Sequence, residues 1–364
     1  MPKFIKGLDL CETFFHEVAK PIIKKHYPTL RFSAGLLGYG SDVLGYDDAV
    51  STDHMWGPRF YLFLEEKDIS LSSELLSLFE KELPFEHRGF SVNFSAPAGK
   101  KNPMRCAEPI TSGRVSPLLW ISTIEGFIKE YLGILPKTPL EWLSVSEHRL
   151  LGFTSGKLFV DDLSLSGIRK SLSFYPKDVK LYLIASQWAL LSEEQAFVKR
   201  CGKRSDEIGS RLICARMIER LLRLCFLYEN TYAPYSKWFG TAFSELSIAF
   251  PVQKECEKAL SAVSVKDREE HLVRAQLLLS EIHNASCLTE KMEIQVQNYH
   301  ERDIRVIFPE KISEKVQEHI LDPSLKNYPL IGSVSQIGNF VALSDPPEFR
   351  ENIQRLYEDI GCKG

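Results

Sequence analysis

GSDVLGYDDAVSTDHMWGPRF, residues 40–60, sets a Gly-Ser turn and four aspartates ahead of an apolar run. Upstream, Arg31 to Leu37 reads as a strand that ends at Gly38 and Gly40. Downstream, Arg59 to Leu64 (RFYLFL) reads as a second strand, apolar on both faces and so covered on both. A strand ending in Gly-Ser puts small residues where backbone N–H groups and a hydroxyl approach phosphate oxygens. An aspartate on the next strand can then hold Mg²⁺ against the same phosphates. Gly40-Ser41 and Asp53 form such a pair, and Arg59, beside Pro58, is a further phosphate candidate. Two carboxylates at i and i+2 on a strand share one face and can share metal ions, as two-metal nucleotidyl transfer requires. Here position i+2 is Met55. The spacing serves equally well a plain hairpin loop in which Asp42, Asp47 and Asp48 are solvated turn formers and His54 is an ordinary hydrogen-bonded side chain.

At 364 residues, 44% of them hydrophobic, the chain has material for two or three packed units. Lys+Arg 45 against Asp+Glu 48 gives a net charge of -3, so no overall basic field marks a binder of extended nucleic acid, and local patches must carry any phosphate contact. The eight cysteines (11, 106, 201, 214, 225, 256, 287, 362) show no CxxC and no even spacing. Cys214 and Cys225 lie in apolar helical text and read as buried thiols of a reducing compartment. The N-terminal MPKFIKGLDLCETFFHEV lacks the apolar core and cleavage site of a signal peptide, and no stretch approaches a membrane span, so the expectation is a cytoplasmic protein without membrane partners.

Residues 8–26 carry helical spacing with Pro21 expected to kink or divide them, residues 71–82 form a helix capped at Ser72 or Ser73, and Phe90 to Ser95 reads as a third strand. The Pro-, Gly- and charge-rich text at 97–109 marks a boundary. After it, residues 118–132, 177–200, 206–229, 236–249, 253–262 and 266–284 are helical, with a short strand or turn near Lys157 to Val160. From 301 the pattern is irregular, with helices at 313–321 and 347–359. The fold class expected is α+β: a small mixed-sheet domain at 1–110, a helical domain at 111–300 and an irregular segment at 301–364.

GFTSGKL at 152–158 is one residue short of a P-loop and carries Leu158 where a metal-binding hydroxyl belongs; GYGSDVLG lacks dinucleotide-binding spacing; HExxH and GxSxG do not occur. In the helical text, Arg216, Arg220 and Arg223 recur along one face and suit either an anion clamp or a solvated face paired with Glu219. In YAPYSKWFG, Lys237 can meet a phosphate while Tyr235 stacks on a base; the alternative makes Tyr232, Tyr235, Trp238 and Phe239 core aromatics near a helix start.

GSDVLGYDD, DHMWGPR, FTSGKLFVDD, DEIGSRL, YAPYSKWFGTAF and LIGSVSQ, in that order between about residues 30 and 340, resemble the family known as the domain of unknown function 4037. That family is similar to the polymerase-beta-like nucleotidyltransferases. The resemblance implies a nucleotidyltransferase-like α/β domain joined to a helical domain, with a Gly-Ser plus Asp-x-Asp site. Gly40 and Ser41 match the turn and Asp53 the first metal carboxylate, while the second falls on Met55, where the family usually reads Asp-His-Asp-Trp-Gly-Pro-Arg. A thioether is a poor ligand for Mg²⁺, and Asn93 in FSVNFS supplies no charge. A helical-domain carboxylate is implied as general base, the choices being Glu193 or Glu194 and Asp206 or Glu207. Two functions follow. One is transfer of a nucleotidyl group from a nucleoside triphosphate, with Mg²⁺, to a small hydroxyl acceptor in a cleft between the domains. The other is a degenerate module that keeps a nucleotide or other phosphorylated ligand as a sensor or docking protein.

Overall fold

The computed structural model describes residues 2–97, 99, 104–338 and 340–361, so Cys362 and part of the 97–109 boundary lie outside the described residues. The fold is α+β. Two compact units are present, one formed by Met1–Leu135 with Arg149–Ser173, the other by Pro136–His148 with Phe174–Gly364.

The first unit is built on a mixed sheet of β1 (Phe32–Leu36), β2 (Arg59–Leu64), β5 (Leu118–Thr123) and β6 (Lys157–Asp161), in the order β5-β2-β1-β6. β1 is antiparallel to both neighbours, and β5 runs parallel to β2 with Tyr61 opposite Trp120. RFYLFL is buried at every position. Phe60, Leu62 and Leu64 join Phe14, Phe15, Phe32 and Phe79 in one core. On the other face Tyr61 stacks on Trp120 at 4.8 Å, and Tyr61 and Phe63 meet Phe127 at 5.0 and 5.4 Å.

Two strands of this sheet come from text beyond residue 110, which is why the unit does not end there. LLWIST is a short, continuous apolar run, and such a run fits a buried strand or a helix equally until its pairing is known. Here it pairs with β2, and Thr123 then caps the helix Ile124–Tyr131 by accepting from the Gly126 N–H. Phe90 to Ser95 is not a third sheet strand. β4 (Phe90–Ser91) pairs with β3 (Glu86–His87) across Arg88-Gly89, both at positive φ as a tight hairpin turn requires, and Phe94 makes a single antiparallel bridge to Ala107. Pro21 does not divide the first helix: a π-helical segment, Phe15–Ala19, joins Gly7–Phe14 to Lys20–His26, and the wider turn accommodates the missing N–H. Neither Ser72 nor Ser73 caps the next helix, because the 3₁₀ turn Glu66–Leu71 runs straight into Ser72–Glu82.

The second unit is helical. Lys177–Glu194 is buried on nearly every side, as a helix without a polar face must be. Around it pack Glu207–Tyr228 and Glu310–Glu318, whose Ser313 hydroxyl donates to the Ala185 carbonyl at 2.8 Å. Glu207–Tyr228 in turn packs on Val265–Ala285 and Ala249–Ser261. The helix expected at 313–321 is thus present as Glu310–Glu318 and packs into this core. None of the helices of the described residues is long and apolar enough to cross a membrane.

Candidate functional site

The loop between β1 and β2 is organised by its aspartates. Asp42 and Asp47 are 1% and 2% exposed, so the expectation that both are solvated turn formers fails; only Asp48 and Asp53 are exposed. Asp42 takes both carboxylate oxygens to Arg59 Nη2, at 2.8 and 3.0 Å, and accepts from the Val43 N–H at 3.0 Å. Asp47 accepts from the Gly7 N–H at 2.7 Å and from the Trp56 indole at 3.1 Å, with Lys6 at 3.4 Å. That carboxylate meets the first amide of a helix, where aligned peptide dipoles favour negative charge. Burial pushes the Asp42 carboxyl up against the pull of Arg59, and Arg59 keeps its proton because Asp42 is beside it.

Arg59 is therefore not a phosphate contact. It is 1% exposed, its guanidinium lies over the Tyr39 ring at 5.1 Å, and its Nε and Nη1 are buried without a hydrogen-bond partner. Stacking on Tyr39 offsets part of that cost. Gly40, at φ +126°, lies against this pair: a Cβ there would fall on the Asp42 carboxylate and 2.5 Å from Arg59 Nη2. Glycine at position 40 is thus explained by the ion pair as well as by any phosphate. Ser41 is half-buried, its carbonyl accepting from the Tyr46 N–H at 2.8 Å.

Asp53 is not on a strand. It lies six residues before β2 with its side chain 69% exposed, paired at 2.8 Å with the imidazole of its neighbour His54, which holds it below the usual carboxylate range. Met55 sits at φ 53° in a two-way bridge to Arg105: its N–H donates to the Arg105 carbonyl at 2.8 Å, and its thioether accepts from the Arg105 N–H at 3.3 Å. The Arg105 guanidinium in turn ties Phe94, Ser95, Ser116 and Pro117 together through their carbonyls. Asn93 donates to the Glu108 carbonyl and accepts from the Ser116 N–H. Among the described residues no group of three or more His, Cys, Asp or Glu side chains is placed to hold a metal ion. The donor set around Asp53, one carboxylate and an engaged thioether, does not fit a pair of magnesium ions.

The remaining candidates belong to the second unit, and most are engaged structurally. Glu194 accepts from Arg216 Nε at 2.9 Å with both oxygens and lies 3.9 Å from Arg220, so the carboxylate offered as a general base neutralises two of the three arginines offered as an anion clamp. Asp206 caps the helix Glu207–Tyr228 by accepting from the Gly209 N–H at 2.8 Å. Glu207 pairs with Arg211 and Arg268. Lys237 lies over the Trp238 ring at 4.7 Å.

Tyr235 stands at a true cavity. A space of about 200 Å³ is lined by Glu147, His148, Glu219, Arg223, Tyr235, Phe239 and Ser335, with other residues of the same unit. Glu147, 4% exposed, donates its backbone N–H to the Ser335 hydroxyl at 2.8 Å and faces Arg223 Nη1 at 3.7 Å. Burial pushes the Glu147 carboxyl up against the pull of Arg223. Arg223 donates from Nε and Nη2 to one Glu219 oxygen, at 3.1 Å each, over the Phe239 ring at 5.2 Å. His148 pairs with Asp345 at 2.7 Å and meets Tyr235 edge-on at 6.3 Å. Sequence reasoning found Tyr235 and Arg223 here and missed Glu147 and His148. The only signal for those two is an adjacent acid and imidazole in SVSEHRL, with no periodicity to single it out.

Residues 142–239, which supply most of the cavity lining, match the family model described as a domain of unknown function, DUF4037. A crystal structure of a nucleotidyltransferase-like protein from Exiguobacterium sibiricum 255-15 is similar to this chain at 12% identity, with 80% of this chain and 97% of that chain covered and a TM-score of 0.32. No curated protein matches the chain.

Proposed function

We propose that the chain is a nucleotidyltransferase-like protein that binds a nucleoside triphosphate at the Gly40-Ser41 turn and does not transfer its nucleotidyl group. The observation that carries this reading is Met55. Its thioether and N–H are both held by Arg105, so Asp53 has no carboxylate partner two residues on. Transfer by two metals needs protein carboxylates that hold both ions, and Mg²⁺ takes hard oxygen donors. One Mg²⁺ carried by the triphosphate's own oxygens needs only a single protein carboxylate, which Asp53, exposed beside the turn-bearing loop, can supply.

Met55→Asp is a fair test, because Asp tolerates the left-handed backbone at this position better than Met does. Binding of ATP and GTP is measured by calorimetry, with and without Mg²⁺, for wild type, Asp53→Ala and Met55→Asp. Pyrophosphate release is followed over a panel of small hydroxyl acceptors. Wild type is expected to bind triphosphate without releasing pyrophosphate, Asp53→Ala to lose the Mg²⁺-dependent part of binding, and Met55→Asp to strengthen that part by roughly tenfold, about 1.4 kcal/mol. Release by wild type that disappears in Asp53→Ala sinks the non-catalytic reading and restores transfer to a hydroxyl acceptor. Failure of both wild type and Met55→Asp to bind triphosphate removes the phosphate site itself.

A further inference from the structure

The cavity at Tyr235 has more negative than positive charge on its walls. Two carboxylates, Glu147 and Glu219, flank the single guanidinium of Arg223, and the His148 imidazole already has Asp345 at 2.7 Å. An anion entering here would meet an arginine whose charge is shared between two acids. A cation would relieve the excess. Glu147 is the buried wall: it is 4% exposed, its carboxylate meets the Ala233 N–H, and its ion pair with Arg223 is loose, the 3.7 Å separation exceeding hydrogen-bond reach. The aromatic ring of Tyr235, 36% exposed at the rim, adds a face that attracts positive charge. The Ser236 and Ser335 side chains add hydroxyl neighbours. At about 200 Å³ the space is below the roughly 300–1,000 Å³ of drug-sized sites, so its occupant is a small metabolite.

We propose that this cavity is a binding site for a small organic ammonium ion, its charge facing Glu147 and Glu219 and its alkyl body lying against Tyr235. The site stands on residues of the second unit alone and does not depend on the triphosphate reading.

The experiment is calorimetric titration of the full chain with choline, ethanolamine, the neutral isostere 3,3-dimethylbutan-1-ol, acetate and inorganic phosphate. At least one ammonium probe is expected to bind ten times or more tighter than the neutral isostere and the two anions. Glu147→Gln keeps the shape of the wall and removes its charge, and is expected to weaken the ammonium probe tenfold or more while leaving the isostere unchanged. If Glu147→Gln does not fold by circular dichroism, Glu219→Gln on the half-exposed wall gives the same reading in the same direction. Tyr235→Leu is expected to weaken choline more than ethanolamine. Equal binding of choline and its isostere overturns the proposal. So does tighter binding of acetate or phosphate, no binding of either ammonium probe, or a folded Glu147→Gln protein that binds as wild type does.

Discussion

Asp42→Ala is expected to destabilise the first unit by about 3–5 kcal/mol, the cost of leaving one partner of a buried ion pair without the other. Arg59 is fully covered and has two nitrogens without hydrogen-bond partners even in the intact protein; removing Asp42 leaves the third the neutral Tyr39 carbonyl, at 3.1 Å, in place of a carboxylate. The carboxylate also accepts from the Val43 N–H, so the start of the loop loses an anchor at the same time. Hydrogen exchange of peptides covering 32–36 and 59–64 reads this directly, and protection there should fall by roughly a hundredfold or more. Asp42→Ala with Arg59→Met should lose less than the sum of the single changes, because the double variant buries no unpaired charge. Asp48→Ala, at an exposed carboxylate that accepts from its near neighbours Val50 and Ser51, should leave exchange in both strands as it was. Equal effects at positions 42 and 48 would mean that the loop is held by its turns and not by the ion pair.

The four aspartates of this loop show where sequence reading succeeds and where it stops. That a Gly-Ser turn separates two strands is written in local text, since strand pattern and turn residues lie within a few positions of each other. Whether an aspartate is solvated is decided by distant partners: Asp42 is answered seventeen residues on by Arg59, and Asp47 forty residues back by the amide of Gly7. The long helices were legible because an apolar stripe repeats over many turns, as in Glu207–Tyr228 and Val265–Ala285. β6 was legible as a short strand or turn near Lys157, but β5 was not, because six residues carry too few periods to separate strand from helix, and only pairing with β2 makes them sheet. Asp53 and Met55 stand out in the local text, but the placement of Asp53 on a strand assumed that β2 begins earlier than Arg59. The ammonium cavity gathers side chains from 147–148, 219–223, 235–239 and 335, separations across which one sequence carries no signal.

Acidification should destabilise the second unit through one buried histidine. Trp188, whose indole can only donate, gives its N–H to the Tyr228 hydroxyl at 2.9 Å, which leaves that hydroxyl to donate to His283 Nδ1 at 3.0 Å. His283 Nε2 then donates to the Thr289 hydroxyl at 2.9 Å, and Thr289 donates to the Glu290 carbonyl at 3.0 Å. With every donor in this chain pointing the same way, Nδ1 accepts and the imidazole is neutral. A proton on Nδ1 would displace the Tyr228 hydrogen and cost that hydroxyl its acceptor. Burial, with His319 nearby, accordingly pushes His283 down from its ordinary 6.5 to about 4. Between those values the unfolded chain holds a proton that the folded chain refuses, so stability rises with pH. The contribution is fully present above about 6.5 and is lost as pH falls toward 4. Its size is about 3 kcal/mol. Urea unfolding of wild type at pH 7 and pH 4, set beside His283→Gln, isolates it from the carboxylates that titrate in both proteins. The variant is expected to be less stable at pH 7 and to lose about 3 kcal/mol less than wild type on acidification. Parallel losses in the two proteins would mean that His283 is protonated in the folded state and that the donor chain runs in the opposite sense.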